Sequence, residues 1–137
     1  MISAVEIRCV DPARVREVWP FVAPLLKSAI DRTGLSCWDE IAADILNGSS
    51  LVWICGNHEE ILCAGATRLE KTNSGSVCVI VACGGSDMRR WLHLLERVEA
   101  YARAEGCRST RIFGRAGWER VLDGYGVRNV VLEKDLS

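Results

Sequence analysis

No stretch of this sequence sustains the run of about 20 apolar residues that spans a bilayer. Its beginning also lacks a basic segment followed by a hydrophobic signal core. Both absences argue against membrane insertion or export and set the expectation of a cytoplasmic protein. Net charge is nearly absent too: 17 Lys and Arg stand against 18 Asp and Glu, so no overall basic field exists to hold nucleic acid or an anionic membrane. Histidine occurs only twice, at His58 in a turn by composition and His93 on a helix surface, so Cys83, the cysteine best placed to react, has no histidine base close to it in sequence. The seven cysteines contain no Cys-x-x-Cys pair and are odd in number, which signals neither a zinc site nor a secreted disulfide framework; no metal is expected. Repeats, linkers and low-complexity tracts are missing as well. What remains, 137 residues with 49% hydrophobic and 26% charged, suits one domain, 1–137, burying roughly two-thirds of its unfolded surface.

The cysteines are Cys9, Cys37, Cys55, Cys63, Cys78, Cys83 and Cys107. Five fall in strand-like runs and are expected to be reduced, buried and small-hydrophobe in character. Cys83 stands apart, because it ends a strand beside a turn that receives anions, a position that lowers a thiol pKa.

That turn belongs to the stretch that organises the chain, Val77 to Gly106: VCVIVACGGSDMRRWLHLLERVEAYARAEG. Val77, Val79 and Val81 are expected on one face of a strand and Cys78, Ile80 and Ala82 on the other, both faces being apolar as in an interior strand. After Gly84-Gly85 the chain turns into a helix whose Met88, Trp91, Leu92, Leu95, Val98 and Ala102 form one buried stripe. Free backbone N–H groups at such a helix start suit a phosphate. Arg89 and Arg90 oppose the helix dipole there, and either a bound anion or Asp87 and solvent relieves them.

Elsewhere, Val5 to Val10 alternates as an outer strand. Asp11-Pro12 opens a helix whose Pro20 and Pro24 predict a kink or a division into two, and Gly34 ends it. Ser36, Asp39 and Glu40 open a second helix that Gly48 terminates, with Trp38 either a packing anchor or a pocket wall. Leu51 to Cys55, Ile61 to Leu69 and Ser76 to Cys83 form an antiparallel meander. Arg111 to Phe113 should run parallel to the third of these by a right-handed crossover. A short helix, Trp118 to Leu122 with Trp118, Val121 and Leu122 inward, and a last strand, Val127 to Leu132, close the chain.

The fold class is therefore α/β (α+β): a mixed, twisted sheet of about six strands flanked by helices, in the order β-α-α-β-β-β-α-β-α-β. In that order, in VCVIVACGG leading into the long helix and in the closing WERVLDGYGV before a strand, the chain resembles the GNAT superfamily of acyl-CoA-dependent N-acyltransferases over nearly its whole length. It also resembles short GNAT-like proteins of phage and prophage. The resemblance implies that backbone N–H groups after the fourth strand hold the pyrophosphate of acetyl-CoA and that the pantetheine lies in a splay between the fourth and fifth strands. Carried over by position, the binding residues are Cys83, Gly84, Gly85, Ser86, Asp87 and Met88, with Arg89 and Arg90 near the phosphates. Where the family loop reads R/Q-x-x-G-x-G/A, this chain reads ACGGSDMRRW, with earlier glycines and with Trp91 where a small residue is usual.

For catalysis, the family's tyrosine acid would fall on Leu122 when counted back from Gly126, with Tyr125 displaced from that place. The fourth strand has no carboxylate, and the nearest bases are Glu70 and Asp87. Two functions stay open. One is acetyl transfer from acetyl-CoA to the amine of an unassigned acceptor; the other is a binding or assembly protein of the same shape, of phage or prophage type, whose cofactor site has been lost. The oligomeric state is not readable.

Overall fold

In the computed structural model of this chain, the described residues are 5–57, 60–85, 88–114, 118 and 120–136, the start of the long helix (88–92) by its backbone alone. Asp87, Ser86 and His58, and the side chains of Met88, Arg89, Arg90 and Trp91, lie outside them. The elements are β1 (Glu6–Cys9), a 3-10 turn (Pro12–Arg14), α1 (Val15–Thr33), α2 (Trp38–Leu46), β2 (Leu51–Gly56), β3 (Ile61–Thr72), β4 (Gly75–Gly85), α3 (Met88–Ala104) and β5 (Ser109–Ile112). The sheet runs in sequence order, β1-β2-β3-β4-β5. Its first three pairings are antiparallel and β4 with β5 is parallel, as the crossover through α3 requires. Among the described residues, no helix is long and apolar enough to cross a membrane.

Each face of the sheet carries its own core. Val22, Leu26 and Ile30 of α1 and Ile41 and Ile45 of α2 pack with Val52, Ala64, Ala66, Val77, Val79, Val81 and Ala82. On the other face, Leu94, Leu95, Val98 and Ala102 of α3 pack with Trp53, Cys55, Cys63, Cys78, Ile80 and Cys83. Within that second core the Trp53 indole N–H donates to Thr67 Oγ1 at 3.0 Å, so two buried polar groups satisfy each other. Leu94, fully buried, joins the stripe expected of α3.

Four expectations need correcting. Pro20 and Pro24 do not divide α1, which runs unbroken from Val15 to Thr33 until Gly34 caps it with φ 65. Both prolines are exposed, so the carbonyls they leave without a helical donor meet water rather than core. Ala82 lies on the α1 face beside Val81, not opposite it. Ala66 pairs with Ala82 while Thr67 pairs with Ile80, so Val81 is an extra residue, a β-bulge that shifts the alternation by one. Val121 is exposed at 48%, although Leu122 is buried; the chain here makes turns, with Leu122 N–H donating to the Trp118 carbonyl at 3.0 Å. Finally, Val127 to Leu132 is not a strand: residues 125–136 carry neither helix nor strand, and the described sheet has five strands rather than six.

Candidate functional site

The site is made by the unequal lengths of the two parallel strands. β5 pairs with β4 only from Val77↔Ser109 to Ile80↔Ile112, and the Phe113 N–H closes the ladder on the Ile80 carbonyl at 3.3 Å. β4 then continues to Gly85 with β3 alone beside it. Residues 81–85 thus border an opening that runs roughly 15 Å along the strand. Val81, Ala82 and Cys83 are buried, yet the backbone groups they turn away from β3 have no strand partner among the described residues. Buried backbone donors and acceptors in that condition call for a hydrogen-bonding occupant.

The bulge at Val81 sits where the strands part, and it sets the faces of everything after it. Gly84 comes to face α1, where a Cβ would clash with the Leu25 carbonyl oxygen, and Gly85 faces Cys63 on β3, where a Cβ would clash as well. The two glycines are therefore the closing residues of β4 held by close packing, not the turn expected from their sequence. At the end of β5, Gly114 leaves the sheet beneath Trp118; a Cβ there would lie 3.2 Å from the indole ring. Trp118 therefore borders the opening, a placement that its expected role as an inward helix residue did not reveal.

Cys83 is buried. Burial, and secondly the neighbouring Cys55, push its thiol far above the ordinary range, and Arg32 offsets this only in part. The expected lowering does not occur, because the strand carries the sulfur into the α3 core rather than to the helix start. Glu70 pairs with Val77 near the start of β4, about 25 Å along the strand from Gly85. Its carboxylate is held by Arg68 Nη2 at 2.7 Å. Tyr125 hydrogen-bonds with Glu99 Oε2 of α3 at 2.8 Å and with Thr110 Oγ1 of β5 at 2.6 Å. Thr110 is the partner of Cys78, so the phenol lies over the closed part of the parallel pair. Burial above all raises its pKa and keeps it protonated; the Thr110 hydrogen bond offsets this in part, and the Glu99 carboxylate adds to the rise. The structure thus brings Cys83, Gly84 and Gly85 together at the opening and leaves Glu70 and Tyr125 apart from it. Trp38 stacks on Trp19 with ring centroids 5.7 Å apart and planes 10° from parallel, joining α2 to α1. Among the described residues no group of His, Cys, Asp or Glu could hold a metal ion.

Solved structures share this arrangement along almost the whole chain. An aminoglycoside acetyltransferase from an uncultured soil metagenomic sample, in complex with trehalose, matches with a TM-score of 0.72 at 7% identity, covering 97% of this chain and 96% of its own. The fold is that of the GNAT acetyltransferases. A second GNAT structure, an aminoglycoside N-acetyltransferase in complex with CoA, matches with a TM-score of 0.66 at 14% identity over 98% of this chain and 97% of that one. Glucosamine-6-phosphate N-acetyltransferase from Arabidopsis thaliana gives 0.60 at 14% identity over 98% and 99%. By sequence, no family model and no curated protein matches the chain. The likeness is carried by the GNAT backbone alone.

Proposed function

We infer that the chain is an acyl-CoA-dependent N-acetyltransferase of the cytoplasm, moving an acetyl group from acetyl-CoA to a primary amine of a small molecule, a peptide or a modified base. The observation that carries this reading is the opening between β4 and β5. The strand backbone at residues 81–85, without a strand partner on its far side among the described residues, suits the amide-bearing pantetheine arm, which can pair with β4 as a strand would. Acetyl-CoA, when bound, supplies an activated thioester. Backbone N–H groups of residues 83–88 would hold its pyrophosphate at the start of α3, with Arg89 and Arg90 beside the phosphates. β4 offers no carboxylate, so the acceptor ammonium loses its proton to water, and positioning supplies the main rate gain.

A second reading, a GNAT-shaped binding or assembly protein of phage or prophage type, draws on the placement of Glu70 and Tyr125 away from the opening. Titration calorimetry with acetyl-CoA separates the two. The enzyme reading expects saturable binding, weakened at least tenfold in the double variant Arg89→Glu/Arg90→Glu, and release of free thiol from acetyl-CoA when amines are supplied. Absence of acetyl-CoA binding by the folded wild-type chain would leave the second reading standing.

A further inference from the structure

We propose that α1 carries a phosphate contact of its own: Arg32, with Ser28 and Lys27 beside it, takes the ribose 3′-phosphate of the CoA nucleotide in a recess along the outer flank of the helix. The contact rests on the acetyl-CoA reading and adds to it a residue from outside the stretch that joins β4 to α3. The recess has a volume of about 470 Å³ and is lined by Pro24, Lys27, Ser28, Asp31 and Arg32. All five are exposed, so a ligand reaches them without any movement of the core.

The packing of α1 on β4 fixes where the recess lies. The Leu25 carbonyl oxygen and the Ala29 Cβ face Gly84, so this part of α1 covers the end of β4, the place the acetyl-CoA reading gives to the pyrophosphate. Successive helical residues turn by about 100°, which puts Arg32 on the same side as Leu25 and Ala29. Ser28 comes next around the helix, then Pro24 and Asp31, and Lys27 is outermost. The charge of Arg32 is felt at the Cys83 thiol, in keeping with a guanidinium close to the end of that strand.

Within the recess the charges are unequally satisfied. Lys27 is held by Asp31 at 3.0 Å. Arg32 keeps its charge uncompensated: its Nε donates to the Ser28 carbonyl at 3.3 Å, which turns the guanidinium back from the helix end, and among the described residues it forms no ion pair. A guanidinium has five donors in a fork that matches phosphate oxygens, so most of that fork is left for a ligand. The Ser28 hydroxyl adds a donor, and the Pro24 ring gives a sugar an apolar flank. In the acetyl-CoA reading the pyrophosphate is served by backbone N–H groups and by Arg89 and Arg90. The phosphate of CoA still without a partner is the 3′-monoester, which at neutral pH carries nearly two negative charges and is the group a free guanidinium receives best.

Titration calorimetry on the full-length protein with CoA and with 3′-dephospho-CoA reads this contact directly. The wild type should bind CoA at least about tenfold more tightly than 3′-dephospho-CoA. Arg32→Gln should abolish that difference by weakening CoA alone, Arg32→Lys should keep part of it, and Lys27→Gln should cost less than Arg32→Gln. Because Arg32 is exposed, an unchanged Tm is expected and shows that each variant is folded. If both compounds bind the wild type and Arg32→Gln weakens them equally, or weakens neither, the proposal falls while the acetyl-CoA reading stands. It falls in the same way if Arg32→Gln spares both compounds and instead raises the KM for phosphoethanolamine but not for ethanolamine, since the phosphate then belongs to an acceptor. A folded wild type that binds neither CoA nor 3′-dephospho-CoA overturns the reading and the proposal together.

Discussion

Replacing Tyr125 by phenylalanine separates a structural phenol from a catalytic one. The tyrosine hydroxyl has one proton, and the Glu99 carboxylate, 2.8 Å away, can only accept it. The Thr110 hydroxyl at 2.6 Å must then be the donor to the phenol oxygen. Tyr125→Phe therefore removes one hydrogen bond to a charged group, about 1.5–3 kcal/mol, and one between neutral groups, about 0.5–1.5 kcal/mol. Glu99 and Thr110 are only half-buried and regain water, so the lower ends apply and the loss should be about 2 kcal/mol. For 137 residues, with an unfolding entropy of about 2.1 cal/mol/K per residue, this lowers Tm by about 5–8 °C. Differential scanning calorimetry measures that shift, and thiol release from acetyl-CoA with supplied amines measures turnover, which should change less than about twofold below Tm. A general acid would show the reverse, a loss of at least about a hundredfold in rate. That result with an unchanged Tm would refute the placement of Tyr125 over the closed part of the strand pair.

Gly84→Ala drives a Cβ into the Leu25 carbonyl oxygen and should destabilise by about 1–3 kcal/mol in urea unfolding, whereas Gly126→Ala, in open space, should change little; equal effects would be inconsistent with the α1–β4 contact. In the native protein, an aromatic disulfide reagent should label Cys9 and Cys37 quickly and Cys107 more slowly, while Cys55, Cys63, Cys78 and Cys83 react only on unfolding; rapid labelling of six or seven would contradict the core. Burial, and then the charge of Cys107, raise the Cys78 thiol from 9.0 to about 11, and Tyr125 is raised also. The unfolded chain therefore gives up these protons first and binds fewer of them, so stability present below about pH 9 should fall as pH climbs towards 11. A urea midpoint that stays flat over that interval would contradict the burial of both groups.

The sheet was legible because its signals are local. Asn73 and Ser74 sit between two apolar runs and make the β3–β4 turn, and Gly34 takes a left-handed conformation at the end of α1. Likewise, one helix-length insert between two apolar strands forces β5 to lie parallel to β4. What escaped depends on surroundings that a single chain does not spell out. A proline breaks a helix when the freed carbonyl is buried, and Pro20 and Pro24 are exposed. VRNVVL has the composition of a strand, but composition does not say whose edge it meets. Cys83 lies in sequence next to a helix start, yet its pKa follows the direction of its side chain, which is set by one extra residue two positions earlier. Glu70 and Tyr125 were singled out for their chemistry, and only the register shows that they sit beside Val77 and Cys78.

A strand keeps its sides by counting in twos, and Val81 makes β4 count odd once. The strand's two ends are consequently written in different frames: Val77 and Val79 share their side with Val81, and Gly84 shares it through Ala82. Deleting one residue at the bulge would restore a regular alternation and leave everything downstream on its present side and opposite its present partner. The Cys83 sulfur would stay in the α3 core, and Gly84 would still meet Leu25. A single-residue deletion here thus straightens the strand without changing the sidedness of its end, and conservative replacement of Val81 leaves the parity untouched as well.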